Sequence, residues 1–108
     1  MLPERQDILR MKALLLGRKL TVRLIPKFEN LNPAQRQRYI RRAAKRGTDP
    51  VSLLASDIAV VIEKIDQLVE MLDDMLECPS NMKFKRFERA SHNVAKFMVD
   101  EGIALTTG

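Results

Sequence analysis

Hydrophobic residues recur every three or four positions through most of this 108-residue chain, which is the period of an amphipathic α-helix. The pattern is clearest over residues 50–77, where a seam with strict 3-4 spacing contains Val51, Leu54, Ile58, Val61, Ile65, Leu68, Leu72 and Met75. The seam is widened to three positions per heptad, as in a helix bundle, by Ala55, Ile62, Val69 and Leu76. A helix of this length spans about 42 Å. We therefore predict an acidic packing helix over 50–77 that also serves self-association or a larger protein assembly.

Caps and prolines divide the rest of the chain into further helices. Asn32-Pro33 predicts a helix start, and Gly47 predicts its end in a left-handed conformation. Asp49-Pro50 repeats the start signature for the long helix, which Pro79 ends. Ser80 or Asn81 then caps a C-terminal helix over 81–101, whose core residues are predicted to be Phe84, Phe87, Val94, Phe97 and Met98.

The first part of the chain predicts a helix that Gly17 ends or weakens. Its predicted apolar face consists of Ile8, Leu9, Ala13, Leu15 and Leu16. Residues 19–25 alternate between polar and apolar side chains, as in a half-buried strand. They also continue the helical face of Leu9, Ala13, Leu16 and Leu20, and we favour the helix because a lone strand has no partner in the chain.

These elements predict a mainly α protein: a small bundle of four or five helices, with a short strand at 19–25 as the alternative. One domain over 1–108 is expected, with a basic half at 1–47. The single cysteine, Cys78, excludes an internal disulfide. No apolar run is long enough for a signal sequence or a membrane span, so we expect a cytoplasmic protein without membrane contact.

Charge is segregated along the sequence. Residues 1–47 contain thirteen Lys/Arg and three Asp/Glu, a balance of +10, whereas residues 48–82 contain one Lys and eight Asp/Glu, a balance of −7. Residues 83–108 contribute +2, which gives the net charge of +5. Either the basic half faces an external polyanion, or it faces the acidic helix of its own chain.

The basic residues are densest on the predicted third segment. This helix would carry Arg36, Arg38, Arg41, Arg42, Lys45 and Arg46. Arginine suits bidentate contact with phosphate, and Tyr39, Ile40, Ala43 and Ala44 would form the buried stripe. We predict that these cations, together with Lys19 and Arg23, contact a nucleic-acid backbone.

Three interpretations of the acidic face of helix 50–77 are open. The carboxylates are Glu63, Asp66, Glu70, Asp73, Asp74 and Glu77. A solvated outer face is the first interpretation, and pairing with basic helices of this chain or of a neighbouring subunit is the second. A metal or acid/base site is the third and the least favoured, because the spacing gives a row rather than a cage.

One stretch resembles a known family. Leu20-Thr21-Val22-Arg23-Leu24 with Pro26, followed by a helix, then Gly47-Thr48-Asp49 and another helix, is similar to the ribbon-helix-helix DNA-binding fold over residues 19–62. The resemblance implies a strand that pairs with its twin in a dimer, with its polar face in the major groove. It implies that Lys19, Thr21 and Arg23 read the DNA.

Signatures of catalysis are nearly absent from the sequence. The glycines are isolated, and Ser91 points about 100° away from the only histidine, His92, on a helix. We expect no enzyme activity, no catalytic residues, no cofactor and no bound metal. The expected function is nucleic-acid backbone binding, as a small helical subunit of a nucleoprotein complex or as a DNA-binding accessory or regulator. The alternative is a protein-interaction module whose basic half docks an acidic partner.

Overall fold

The computed structural model describes residues 3–23 and 28–101, and four α-helices account for most of them. The helices are α1 (Arg5–Arg23), α2 (Pro33–Arg46), α3 (Pro50–Glu77) and α4 (Asn81–Glu101). A single 3-10 turn, Phe28–Asn30, precedes α2. The prediction of a mainly helical bundle is confirmed, and α3 and α4 have the predicted bounds.

Helix α1 extends beyond Gly17, which was predicted to end or weaken it. It continues through Gly17, so residues 19–23 of the alternative strand are helical. Residues 24 and 25 lie outside the described residues. The ribbon-helix-helix resemblance stays a prediction, because in that family the strand forms between two copies.

The predicted apolar face of α1 is largely wrong. The buried residues of this helix are Ile8 and Val22, and Met11 and Leu15 pack beside them, whereas Leu9 and Leu16 are exposed. Both sets of residues have helical spacing, so the period alone does not distinguish them. The buried set is the one whose neighbouring lysines, Lys12 and Lys19, reach carboxylates on α3.

Side chains cap the N-termini of α2, α3 and α4. Asn32 accepts a hydrogen bond from the N–H of Gln35 at 2.8 Å, and Asp49 accepts one from the N–H of Ser52 at 2.8 Å. Gly47 ends α2 at φ 68°, a left-handed conformation that a side chain would disfavour. Of the two candidate caps for α4, Ser80 accepts from the N–H of Lys83 at 3.4 Å.

Helix α3 is the centre of the protein, and α1, α2 and α4 all pack on it. The molecule measures 45 × 24 × 18 Å, and 28 residues of α-helix span about 42 Å, so α3 runs along the whole long axis. Most of its predicted seam is buried by the other helices, and Val51 is the exception at 56 % exposure. On α4, Phe87, Val94 and Met98 are buried as predicted.

Lys12 of α1 pairs with Asp73 of α3, and Lys19 pairs with Asp66, so α1 runs antiparallel to α3. Helices α2 and α4 are joined to α3 by short turns at residues 47–49 and 78–80. Each therefore forms an antiparallel hairpin with α3.

Two glycine-to-alanine substitutions are expected to have opposite effects. Gly47→Ala should lower the free energy of unfolding by about 1 kcal/mol, because alanine is strained at positive φ even though its Cβ would meet no atom within 4 Å. Gly17→Ala, inside α1 and equally open, should raise it by about 0.5–1 kcal/mol. Urea unfolding of both variants measures this. If both substitutions changed the free energy of unfolding in the same direction, the placement of Gly47 at the left-handed end of α2 and of Gly17 inside α1 would be contradicted.

The cap of α3 should make stability depend on pH. Hydrogen bonds from the side chain and backbone of Ser52 lower the pKa of Asp49 below its ordinary value of 3.8. The ionised cap therefore contributes fully above pH 3.8, and its contribution is lost as the pH falls through the lower folded-state pKa. Asp49→Ala should lower the free energy of unfolding at neutral pH. In acid, the free energies of unfolding of the variant and of the unmodified chain should become more similar, which urea unfolding at several pH values measures.

Asn32→Ala is the matched control for that experiment, since Asn32 caps α2 without a charge. The loss in free energy of unfolding caused by Asn32→Ala should not change as carboxylates titrate. If the losses caused by Asn32→Ala and Asp49→Ala had the same pH dependence, the role assigned to the Asp49 charge would be contradicted.

Candidate nucleic-acid interface

Helix α2 is held on α3 by a buried carboxylate. The hydroxyl of Tyr39 donates to Oδ2 of Asp57 at 3.0 Å, and Nη1 of Arg42 donates to the same oxygen at 3.3 Å. Asp57 is only 5 % exposed and Tyr39 is fully buried. A buried carboxylate needs such partners, because taking an isolated charge out of water costs several kcal/mol.

The two donors to Asp57 also contact each other. Cζ of Arg42 lies 5.2 Å from the centroid of the Tyr39 ring, within the range of a cation–π contact. Burial, and then the negative charge of Asp57, raise the pKa of the Tyr39 hydroxyl well above its ordinary value of 10.0. Tyr39 is therefore protonated and donating at physiological pH, and its hydroxyl is buried against α3.

This arrangement places one of the predicted nucleic-acid contacts, Arg42, inside the protein. The side chain of Arg42 is 17 % exposed and forms an ion pair with Asp57, so it does not belong to the outer face of α2. The predicted buried stripe of α2 is half right: Tyr39 and Ala43 are buried, but Ile40 and Ala44 are exposed. The reason is Asp57, which draws the Tyr39–Arg42 side of the helix inward.

The remaining cations of α2 face outward, with one exception. Arg38, Arg41, Lys45 and Arg46 are exposed. Arg36 is half-buried, and its Nη1 donates to the carbonyl oxygen of Glu29 at 3.4 Å. Arg38, Arg41 and Lys45 follow i, i+3, i+7 spacing, which brings their side chains onto one face. We call these three residues the α2 cation row.

The other two predicted site residues belong to α1, not α2. Nζ of Lys19 lies 2.6 Å from Oδ1 of Asp66 on α3. Lys19 is thus engaged within the chain, and its contact with nucleic acid stays a prediction. The side chain of Arg23 lies outside the described part of the structure.

The carboxylates of α3 divide between two of the three interpretations. Asp66, Asp73 and Asp74 pair with lysines of the same chain, at distances of 2.6, 2.7 and 3.1 Å. The glutamates at 63, 70 and 77 are exposed, as expected of a solvated face. Within residues 3–23 and 28–101, no group of three or more His, Cys, Asp or Glu side chains could hold a metal ion.

Helix α4 contacts the edge of α3 on which Asp57 lies and carries exposed cations of its own. Asp57 anchors α2, and Nζ of Lys64 lies 5.6 Å from the Phe97 ring of α4. Asp57 and Lys64 are seven residues apart, so they share one edge of α3. The exposed cations of α4 are Lys85, Arg86, Arg89 and Lys96.

Asp57 is the residue that sequence reasoning missed. It lies three residues after Leu54 and four before Val61, and so falls within the apolar stripe of α3. A carboxylate at a position that the period assigns to the core requires a buried donor. The sequence thus indicates that Asp57 has a buried hydrogen-bond donor, but it does not identify which residues of α2 donate.

Removing the buried carboxylate should destabilise the protein far more than removing an exposed one. Asp57→Ala should lower the free energy of unfolding by about 3 kcal/mol, because it leaves the Arg42 charge buried and the Tyr39 hydroxyl without its acceptor. Asp73→Ala, which breaks a partly exposed pair with Lys12, should cost less than about 1 kcal/mol. Denaturant unfolding measures both, and equal losses would refute the anchoring role of Asp57.

No protein-family model matches the chain, and neither a curated protein nor a solved structure matches it. Among the described helices, none combines the length and the apolar character that crossing a membrane requires. Function is therefore inferred from the residues of the chain itself.

Proposed function

We propose that this chain is a non-enzymatic protein that binds the phosphate backbone of nucleic acid through the α2 cation row. The observation that carries the proposal is the exposure of Arg38, Arg41 and Lys45 on one face of a helix that Tyr39 and Arg42 anchor on Asp57. An anchored helix presents its cations without having to order itself on binding.

The internal ion pairs show which cations are engaged within the chain, and so restrict the proposal to the exposed ones. Lys12, Lys19, Arg42 and Lys83 are each within ion-pair distance of an aspartate of α3. The α2 cation row is exposed on the outer face of its helix. Positive charge concentrated on one exposed face favours a polyanionic ligand.

The position of α4 extends the proposed surface. Lys85, Arg89 and Lys96 are exposed on a helix that packs on the same edge of α3 as α2. The molecule is 45 Å long, and one turn of a DNA duplex spans about 34–36 Å. A duplex that follows this edge could contact the cations of both helices.

Backbone contact rather than sequence reading suits the chemistry of this face. Arginine and lysine bind phosphate oxygens without regard to sequence. Small helical subunits of nucleoprotein complexes, and DNA-binding accessories or regulators, work in this way, and the cytoplasm is the proposed location. Self-association through α3 stays part of the proposal, with Val51 as the most exposed residue of its seam.

Binding of a labelled DNA duplex should be weakened by Arg41→Ala/Lys45→Ala. Removing one cation that neutralises a phosphate should lower the slope of log affinity against log salt by about 0.9, so the double variant should have a slope smaller by nearly two units. Fluorescence anisotropy over a salt series measures the affinity and the slope. A labelled single-stranded RNA in the same series compares the two nucleic acids.

Arg10→Ala/Arg18→Ala is the matched control, because it removes the same charge from exposed positions on α1. The control should keep the slope of the unmodified chain. Equal losses of affinity in the two double variants would show that net charge alone attracts the ligand and would reject the α2 site. The absence of any binding at low salt and high micromolar protein would reject the proposed function.

A further inference from the structure

Helix α1 carries a second apolar row that the rest of the described chain does not cover. Leu9, Leu16 and Leu20 are 43, 41 and 60 % exposed, and Ala13 between them is also exposed. Their spacing is 4-3-4, the spacing of a coiled-coil seam. We call these four residues the leucine row.

The leucine row is separate from the face that α1 buries on α3. Ile8, Leu15 and Val22 form the buried face, and Lys12 and Lys19 lie between the two on the helix surface. Because both lysines are held by aspartates of α3, the rotation of α1 about its axis is fixed. The leucine row therefore faces outward as a consequence of the packing, not through fraying of the helix.

Charge near the row indicates the chemistry of what covers it. Arg5 and Arg10 are exposed and flank its N-terminal half on either side. We propose that the leucine row docks an amphipathic helix of another protein whose apolar seam is flanked by Asp and Glu. Ala13, in the middle of the row, leaves room for close approach of the partner backbone.

A second copy of this chain fits the surface less well. Pairing of two α1 helices through their leucine rows would bring the flanking Arg5 and Arg10 of both copies together, and like charges oppose such pairing. The acidic amphipathic helix of the chain is α3, and α1, α2 and α4 already cover most of its apolar seam. The complementary helix therefore belongs to a different protein.

A lipid surface is also a poor fit. Helices that lie in a membrane interface present a broad apolar face, commonly with Trp or Phe. The leucine row is about 60° wide at about 100° per residue and has no aromatic member. A row this narrow is typical of a helix–helix contact.

A designed peptide of about four heptads, with Leu at a and d and Glu at e and g, is the probe for this surface. Repulsion between its glutamates disfavours pairing with itself. Calorimetry with the full-length chain should detect its binding, and a peptide with Lys at e and g should bind at least about tenfold more weakly. Equal binding of both peptides, or binding of neither, would overturn the proposal.

Variants locate the site. Leu16→Gln/Leu20→Gln should weaken binding of the acidic peptide about tenfold or more, whereas Leu14→Gln, at a 68 % exposed position off the row, should not. Circular dichroism checks that both variants are folded. Arg41→Ala/Lys45→Ala should leave peptide binding unchanged, so failure of the nucleic-acid proposal is distinguishable from failure of this one.

Two further measurements address the competing occupants. Any self-association seen by sedimentation of the chain alone should be unaffected by Leu16→Gln/Leu20→Gln. Self-association that these substitutions abolish would assign the leucine row to a second copy. Flotation with anionic vesicles should likewise show no binding that depends on the row. A positive result in either experiment would overturn the proposal.

Discussion

The whole described fold depends on one constraint: the apolar stripe of a single 28-residue helix has to be covered by three shorter ones. Helix α1 has 19 residues, α2 has 14 and α4 has 21, so none of them matches the length of α3. Helix α2 contacts α3 at Asp57 and α4 contacts it at Lys64, whereas α1 pairs with Asp66 and Asp73. Both proposed surfaces follow from this division, because each is the outer face of a helix whose inner face lies on α3.

Polar contacts decide how each helix is rotated on that stripe. On α2, the Asp57 carboxylate draws Tyr39 and Arg42 inward, and the α2 cation row faces solvent as a result. On α1, Lys12 and Lys19 reach aspartates at positions seven residues apart on α3. Apolar burial supplies the driving force for packing, but it is not directional, so these paired charges specify which face is inside.

The same distinction separates what the sequence predicts from what it does not. Caps and prolines are local signals, and they placed α3 and α4 at their observed bounds and the end of α2 at Gly47. The buried face of α1 was mispredicted because Ile8 and Leu9 both begin rows of helical period, and the choice depends on aspartates more than 40 positions away. Arg42 was assigned to the surface for a similar reason, since its partner lies on another helix.

The two short turns beside α3 have a consequence for how the chain folds. Contacts of α2 and α4 with α3 are close in sequence, whereas the Lys12–Asp73 pair closes a separation of 61 residues. Loop-closure entropy rises with separation, so we expect α2, α3 and α4 to assemble first and α1 to dock last. By the same reasoning the leucine row takes its place on the surface later in folding than the α2 cation row does.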